Sequence, residues 1–125
     1  MNLLLDTHAL LWWLSDPSLL SAQAHDAISE FRAVIYVSAA SAWEIAIKKS
    51  MGKLEMPDDI QEILRTEGFL ELPITITHAL AAGALPGYHA DPFDRLLIAQ
   101  AITENLMLLT RDENIKKYDV RVLHA

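Results

Sequence analysis

The 125-residue chain has the length of one compact domain, 1–125, and its 52% hydrophobic content excludes disorder by composition. No apolar run reaches the roughly 18 residues of a membrane span and no basic residue precedes Asp6, so neither span nor signal peptide is expected and the protein reads as cytoplasmic. The absence of cysteine confines any metal to oxygen or imidazole ligands, and the net charge of -7 argues against a simple basic nucleic-acid binder.

Leu3 to Leu5 form a short apolar run ending at Asp6, and Ala9 to Leu14 then suit a helix stopped by Asp16-Pro17. Ser21 suits the cap of a second helix through about Phe31, with Leu20 as a hydrophobic staple and Ala24, Ala27, Ile28 and Phe31 inward. Val34 to Val37 is an apolar, β-branched strand. Ser38 to Met51 is helical and nearly apolar all round until Lys48, predicting a buried helix ended by Gly52.

Pro57 and Asp58 open another expected helix, with Ile60, Ile63 and Leu64 inward and Gly68 at its end, before a strand at Phe69 to Leu72. Its outer face carries Glu55, Asp58, Asp59, Glu62, Glu67 and Glu71 against Arg65, so the acidity is regional. Thr77 is expected to cap a short helix through about Ala84, followed by a turn at Leu85-Pro86-Gly87. Asp91, Pro92 and Asp94 make a strong helix start, with Leu97, Ile98, Ala101 and Ile102 as the buried stripe and Asn105 at the stop. Met107 to Leu109 and Arg121 to Leu123 are the last strands, the latter at an edge. This alternation predicts an α/β fold, a three-layer αβα sandwich on a central parallel sheet, with ligands beyond the carboxyl ends of the strands.

That rule selects Asp6 and Asp112, each just past a strand, although Asp6 also suits a helix cap and Asp112 a turn. Glu44, amid Ala40, Ala42, Trp43, Ile45, Ala46 and Ile47, must be paired, protonated or bound to a cation. A pair with Lys48 is the plain explanation, and a metal the stronger one. Asp94 shares the inward face of its helix while Asp91 already serves as cap, though a first-turn acid also suits the macrodipole. If these four acids converge, their repulsion calls for Mg²⁺ or Mn²⁺, hard ions that accept all-oxygen ligation. Setting them and the acidic stretch aside leaves seven acids against nine bases, a slightly basic remainder.

Asp6-Thr7, Ser41-Ala42-Trp43-Glu44, the run His89-Ala90-Asp91-Pro92-Phe93-Asp94-Arg95 continuing to Ala101, and Thr110-Arg111-Asp112 together resemble the PIN-domain family, and more closely its VapC-type toxins. The resemblance spans nearly the whole chain in order and spacing. It implies a magnesium-dependent endoribonuclease in which acids matching Asp6, Glu44, Asp94 and Asp112 hold one or two metals, with a hydroxyl matching Thr110 nearby. It further implies an RNA substrate, a cognate VapB-type antitoxin whose tail fills the groove, and toxin homodimers within larger complexes. Water activated by the metal would then attack phosphorus, leaving 5'-phosphate and 3'-hydroxyl ends with no protein nucleophile.

Thr7 supports the same site, and Arg95 and Arg111, each beside a candidate ligand, are candidates for phosphate contact or for structural ion pairs. Lys48, Lys49 and Lys53 suit a basic rim or a solvated helix end. Trp12 and Trp13 cannot both face one core, so either one lies at a partner groove or both are partly covered. The five histidines show no ligand pair at helical spacing and are assigned no catalysis. Two other readings compete. A phosphatase of the haloacid dehalogenase type wants a second Asp where His8 stands, and a catalytically inactive partner-binding module would not need all four acids.

Overall fold

The computed structural model describes residues 1–57 and 59–125. Among them the sheet is built from β1 (Asn2–Leu5), β2 (Val34–Ser38), β3 (Leu70–Leu72), β4 (Met107–Thr110) and β5 (Val122–His124). All pairings are parallel, in the order β3-β2-β1-β4-β5, with β5 at one edge as expected. The helices are α1 (Thr7–Ser15), α2 (Ala22–Ser29), α3 (Ala39–Ser50), α4 (Ile60–Glu67), α5 (Ile76–Ala84) and α6 (Pro92–Thr103). No helix among the described residues is long and apolar enough to cross a membrane.

The central strand explains the layering. Side chains alternate along a strand, so Leu3 and Leu5 of β1 enter one core and Leu4 the other. The first core adds Ala9 and Leu10 of α1, Ala24 and Ile28 of α2 and Leu64 of α4. The second is filled by Leu97, Ile98 and Ala101 of α6, with Leu85 after α5 packed against it. Three layers result, as expected. Burying a Leu in either core contributes about 2 kcal/mol, which makes the backbone ends of β1 and β4 a rigid platform.

Several local expectations need correction. The second helix ends at Ser29, and Phe31 is 98% exposed rather than inward, because the chain already turns towards β2 at Glu30. α3 is one-sided: Ala40, Ser41 and Ile45 are buried while Trp43 is 60% exposed, so its apolar sequence does not mean burial all round. Asp59 caps α4 by accepting from the Glu62 N–H; Asp58, expected at that start, lies outside the described residues. Thr75 rather than Thr77 caps α5, in a capping box closed by His78, whose Nδ1 accepts from the Thr75 N–H. The helix stops hold, with Gly52, Gly68 and Asn105 all at positive φ.

Candidate active site

The order β3-β2-β1-β4-β5 reverses direction between β1 and β4, and a cavity of about 370 Å³ opens beyond their carboxyl ends. Asp6, Thr7, His8, Trp12, Glu44, Lys48, Asp91, Asp94, Arg111 and Asp112 line it. The four acids singled out in the sequence therefore meet in one pocket, delivered by β1, α3, α6 and the turn after β4.

Each acid is held in a different way. Asp6 is both helix cap and pocket residue: Oδ1 accepts from the Ala9 N–H at 2.8 Å and Oδ2 from the Thr110 hydroxyl at 2.6 Å. Burial raises its pKa, and these hydrogen bonds and nearby His8 only partly offset that. Glu44 Oε1 hydrogen-bonds to the Thr7 hydroxyl at 2.7 Å, and Oε2 pairs with Lys48 Nζ at 3.1 Å. The lysine pair and the pocket position are thus both present, and Thr7 supports the carboxylate through a hydroxyl that also meets Ser41 Oγ at 3.0 Å.

Asp94 sits in the first turn of α6 behind the Asp91 cap, whose Oδ1 accepts from the Phe93 N–H at 2.8 Å. Burial, then the negative charges of Asp91, Asp6 and Asp112, push its carboxyl up to about 7, against the opposing influence of His89. Asp112 moves the other way. Burial acts to raise it, but hydrogen bonds from His89 and the Asn114 and Ile115 N–H groups outweigh this and hold it low. Two acids in one pocket thus sit on opposite sides of their ordinary value.

His89 is the residue that sequence reasoning passed over. Its Nε2 lies 3.0 Å from Asp94 Oδ2 and 3.0 Å from Asp112 Oδ2, between the two carboxylates. The three side chains form a cluster with metal-binding dimensions. No helical ligand spacing announced it. The available signal was its place two residues before the Asp91 cap, where an imidazole can accept from the N–H at the helix start, here Asp91 N–H to Nδ1 at 3.1 Å.

The two arginines differ from expectation. Arg95 does not line the pocket: its terminal nitrogens donate to the carbonyls of Ala82, Leu85, Pro86 and His89, tying the end of α5 to the start of α6. Arg111 does line the pocket, and among the described residues it pairs with no Asp or Glu side chain. It donates to the main-chain oxygens of Leu19 and Ala125 while its guanidinium carbon lies 4.2 Å from the centre of the Trp12 ring. Trp12 and Trp13 are both half-buried, Trp12 beside the pocket and Trp13 against His25 and Phe69. Lys48 reaches the rim through Glu44, and Lys49 donates to the Pro57 carbonyl.

The PIN domain family model matches residues 3–121 of this chain. Ribonuclease VapC22 of Mycobacterium tuberculosis (strain ATCC 25618 / H37Rv) is 34% identical over 125 residues, spanning 94% of this chain and 92% of that protein. Among solved structures, VapBC2 from Rickettsia felis bound to a fragment of its promoter DNA matches with a TM-score of 0.74 at 15% identity, covering 98% of each chain. A toxin-antitoxin complex from Klebsiella pneumoniae matches with a TM-score of 0.69 at 20% identity, covering 97% of this chain and 95% of that one. The fold is shared with both structures, and the extent of the family match, with a VapC relative over nearly full length, makes this chain a member of the PIN-domain family, of its VapC type.

Proposed function

We propose that the chain is a divalent-metal-dependent endoribonuclease, acting in the cytoplasm as the toxin of a toxin-antitoxin pair. The observation that carries this reading is the meeting of Asp6, Glu44, Asp94 and Asp112 in one pocket beyond β1 and β4. The donor chemistry fits a hard cation: the carboxylates supply oxygen ligands, and a carboxyl pushed up to about 7 by burial and then by its like-charged neighbours marks a pocket short of positive charge.

In this reading Asp6, Glu44 and Asp94 hold Mg²⁺ or Mn²⁺, with Asp112 beside them. The bound cation supplies activation of water and neutralisation of the charge that builds on phosphate oxygens. The chain's own residues orient that chemistry. Thr110 and the Ala9 N–H fix both Asp6 oxygens, and Thr7 and Lys48 fix Glu44, so the ligands need little rearrangement. Lys48 and Arg111, the cationic side chains among the lining residues, are suited to drawing an RNA phosphate into an otherwise acidic pocket. No side chain is needed as nucleophile, and a phosphatase working through Asp6 wants a second Asp where His8 stands.

The VapBC complexes among the similar structures support a VapB-type antitoxin as partner; toxin homodimers within a larger assembly are part of the same proposal, on the family resemblance. The test is direct. Purified chain incubated with RNA should cleave it only when Mg²⁺ or Mn²⁺ is present, leaving 5'-phosphate and 3'-hydroxyl ends, and chelation should stop it. Cleavage that persists in chelator would overturn the metal reading.

A further inference from the structure

His89 is fixed from every side. Its N–H donates to Tyr118 Oη at 2.9 Å, that hydroxyl donates to the Pro86 carbonyl at 2.6 Å, and the His89 carbonyl accepts from Arg95 at 3.2 Å. Its ring is anchored too, because Nδ1 accepts the Asp91 N–H at 3.1 Å. A main-chain N–H can only donate, so Nδ1 must present a lone pair, and the ring proton resides on Nε2.

This settles what the other nitrogen does. With its proton in place, Nε2 donates to Asp112 Oδ2 at 3.0 Å, lies 3.0 Å from Asp94 Oδ2 outside that hydrogen bond, and has no lone pair to offer a metal. Binding a cation through Nε2 would require the proton to move to Nδ1, where it would oppose the Asp91 N–H. The remaining oxygens differ as well: Asp112 Oδ1 accepts from the Asn114 N–H at 2.7 Å, whereas Asp94 Oδ1 has no hydrogen-bond partner among the described residues.

We infer that His89 is a positioning residue and not a metal ligand: its Nε2–H donates to Asp112 Oδ2, holding that carboxylate beside Asp94 Oδ2, and stays a donor when the cation binds. The cluster of His89, Asp94 and Asp112 has the dimensions of a mixed nitrogen-oxygen site for a softer metal, yet its tautomer excludes that use. The site thereby keeps all-oxygen ligation, which suits Mg²⁺. The inference about the bound state rests on the proposed metal site; the tautomer does not.

Long-range ¹H–¹⁵N correlation spectra of the whole chain test both parts. Without metal, His89 should show a protonated Nε2 and a bare Nδ1, and the same pattern should persist with saturating Mg²⁺. A proton on Nδ1 in either spectrum overturns the inference. In parallel, Mg²⁺ and Mn²⁺ affinities are measured by calorimetry. His89→Ala should weaken both by roughly tenfold to a hundredfold, the usual cost of losing a group that orients a ligand. His89→Gln, whose amide N–H can replace Nε2–H, should recover most of the loss, and a Gln variant as weak as the Ala variant would count against donation. If the wild-type chain binds neither ion, the proposed metal site fails and the bound-state role with it, while the metal-free spectrum still decides the tautomer.

Discussion

The Thr110 hydroxyl donates to Asp6 Oδ2 at 2.6 Å, joining residues 104 positions apart at the ends of adjacent strands. Both residues are almost fully buried, so the bond stands out of competition with water and partly offsets the cost of placing a carboxylate there. Thr110→Val keeps the shape and deletes the donor. It should destabilise the chain by about 1–3 kcal/mol, raise the Asp6 carboxyl further, and weaken Mn²⁺ binding, whereas Thr110→Ser should be close to wild type. Urea denaturation and calorimetry check this; a Val variant as stable as the Ser variant would dismiss the bond as incidental.

Asp6→Asn and Asp94→Asn remove charge at constant shape. Each should abolish metal-dependent RNA cleavage while leaving the circular dichroism spectrum unchanged, because the fold depends on the two apolar cores rather than on these charges. Full cleavage by either purified variant would remove that residue from the site. Glu44→Gln should weaken Mn²⁺ binding and release Lys48 from its 3.1 Å pair.

The metal-free chain should lose stability as pH rises. Asp94 is pushed from the ordinary 3.8 up to about 7, so the folded chain holds that proton more tightly than the unfolded chain does. Its contribution is complete below about 4 and is lost as pH climbs through about 7. Asp6, also raised, acts in the same direction. Asp112, held low, has the opposite sign: its contribution is present above the ordinary carboxylate value and is lost in acid below it. Melting temperatures between pH 5 and 8 should therefore fall in the absence of metal, roughly over the interval in which Asp94 ionises. Asp94→Asn and saturating Mg²⁺ should each flatten that slope. A wild-type slope identical to that of Asp94→Asn would refute the assignment.

Arg95 should prove to be a structural clamp. One guanidinium serves four carbonyls, so Arg95→Ala leaves several acceptors at the α5–α6 junction without a charged donor, at a cost of about 2–3 kcal/mol. Lys should not rescue it, since a single ammonium lacks the planar fork. The salt dependence of RNA binding should be unchanged in the Arg95→Ala variant, because the lost charge faces carbonyls rather than phosphate.

The elements and the parallel order of this fold were largely legible because strand and helix periodicities are local and strong. Val34 to Val37, the Asp91-Pro92 start and the stops at Gly68 and Asn105 carry their own conformational reasons. What escaped depends on tertiary context. Phe31 and Trp43 fit an inward stripe by spacing but face solvent, since periodicity says which residues share a face and not what covers it. The strand-end rule picked out Asp6 and Asp112, and the apolar setting of Glu44 and the inward face of Asp94 picked out the other two, whereas Arg95, open between a phosphate contact and an ion pair, instead points back to α5. His89 was missed because its partners lie 5 and 23 residues away and no periodic pattern links them.

The central position of β1 has a consequence for synthesis. Asp6 follows β1, but the strand that brings Thr110 to it is made roughly a hundred residues later. A growing polypeptide therefore cannot complete this pocket until the strand bearing Thr110 has been made.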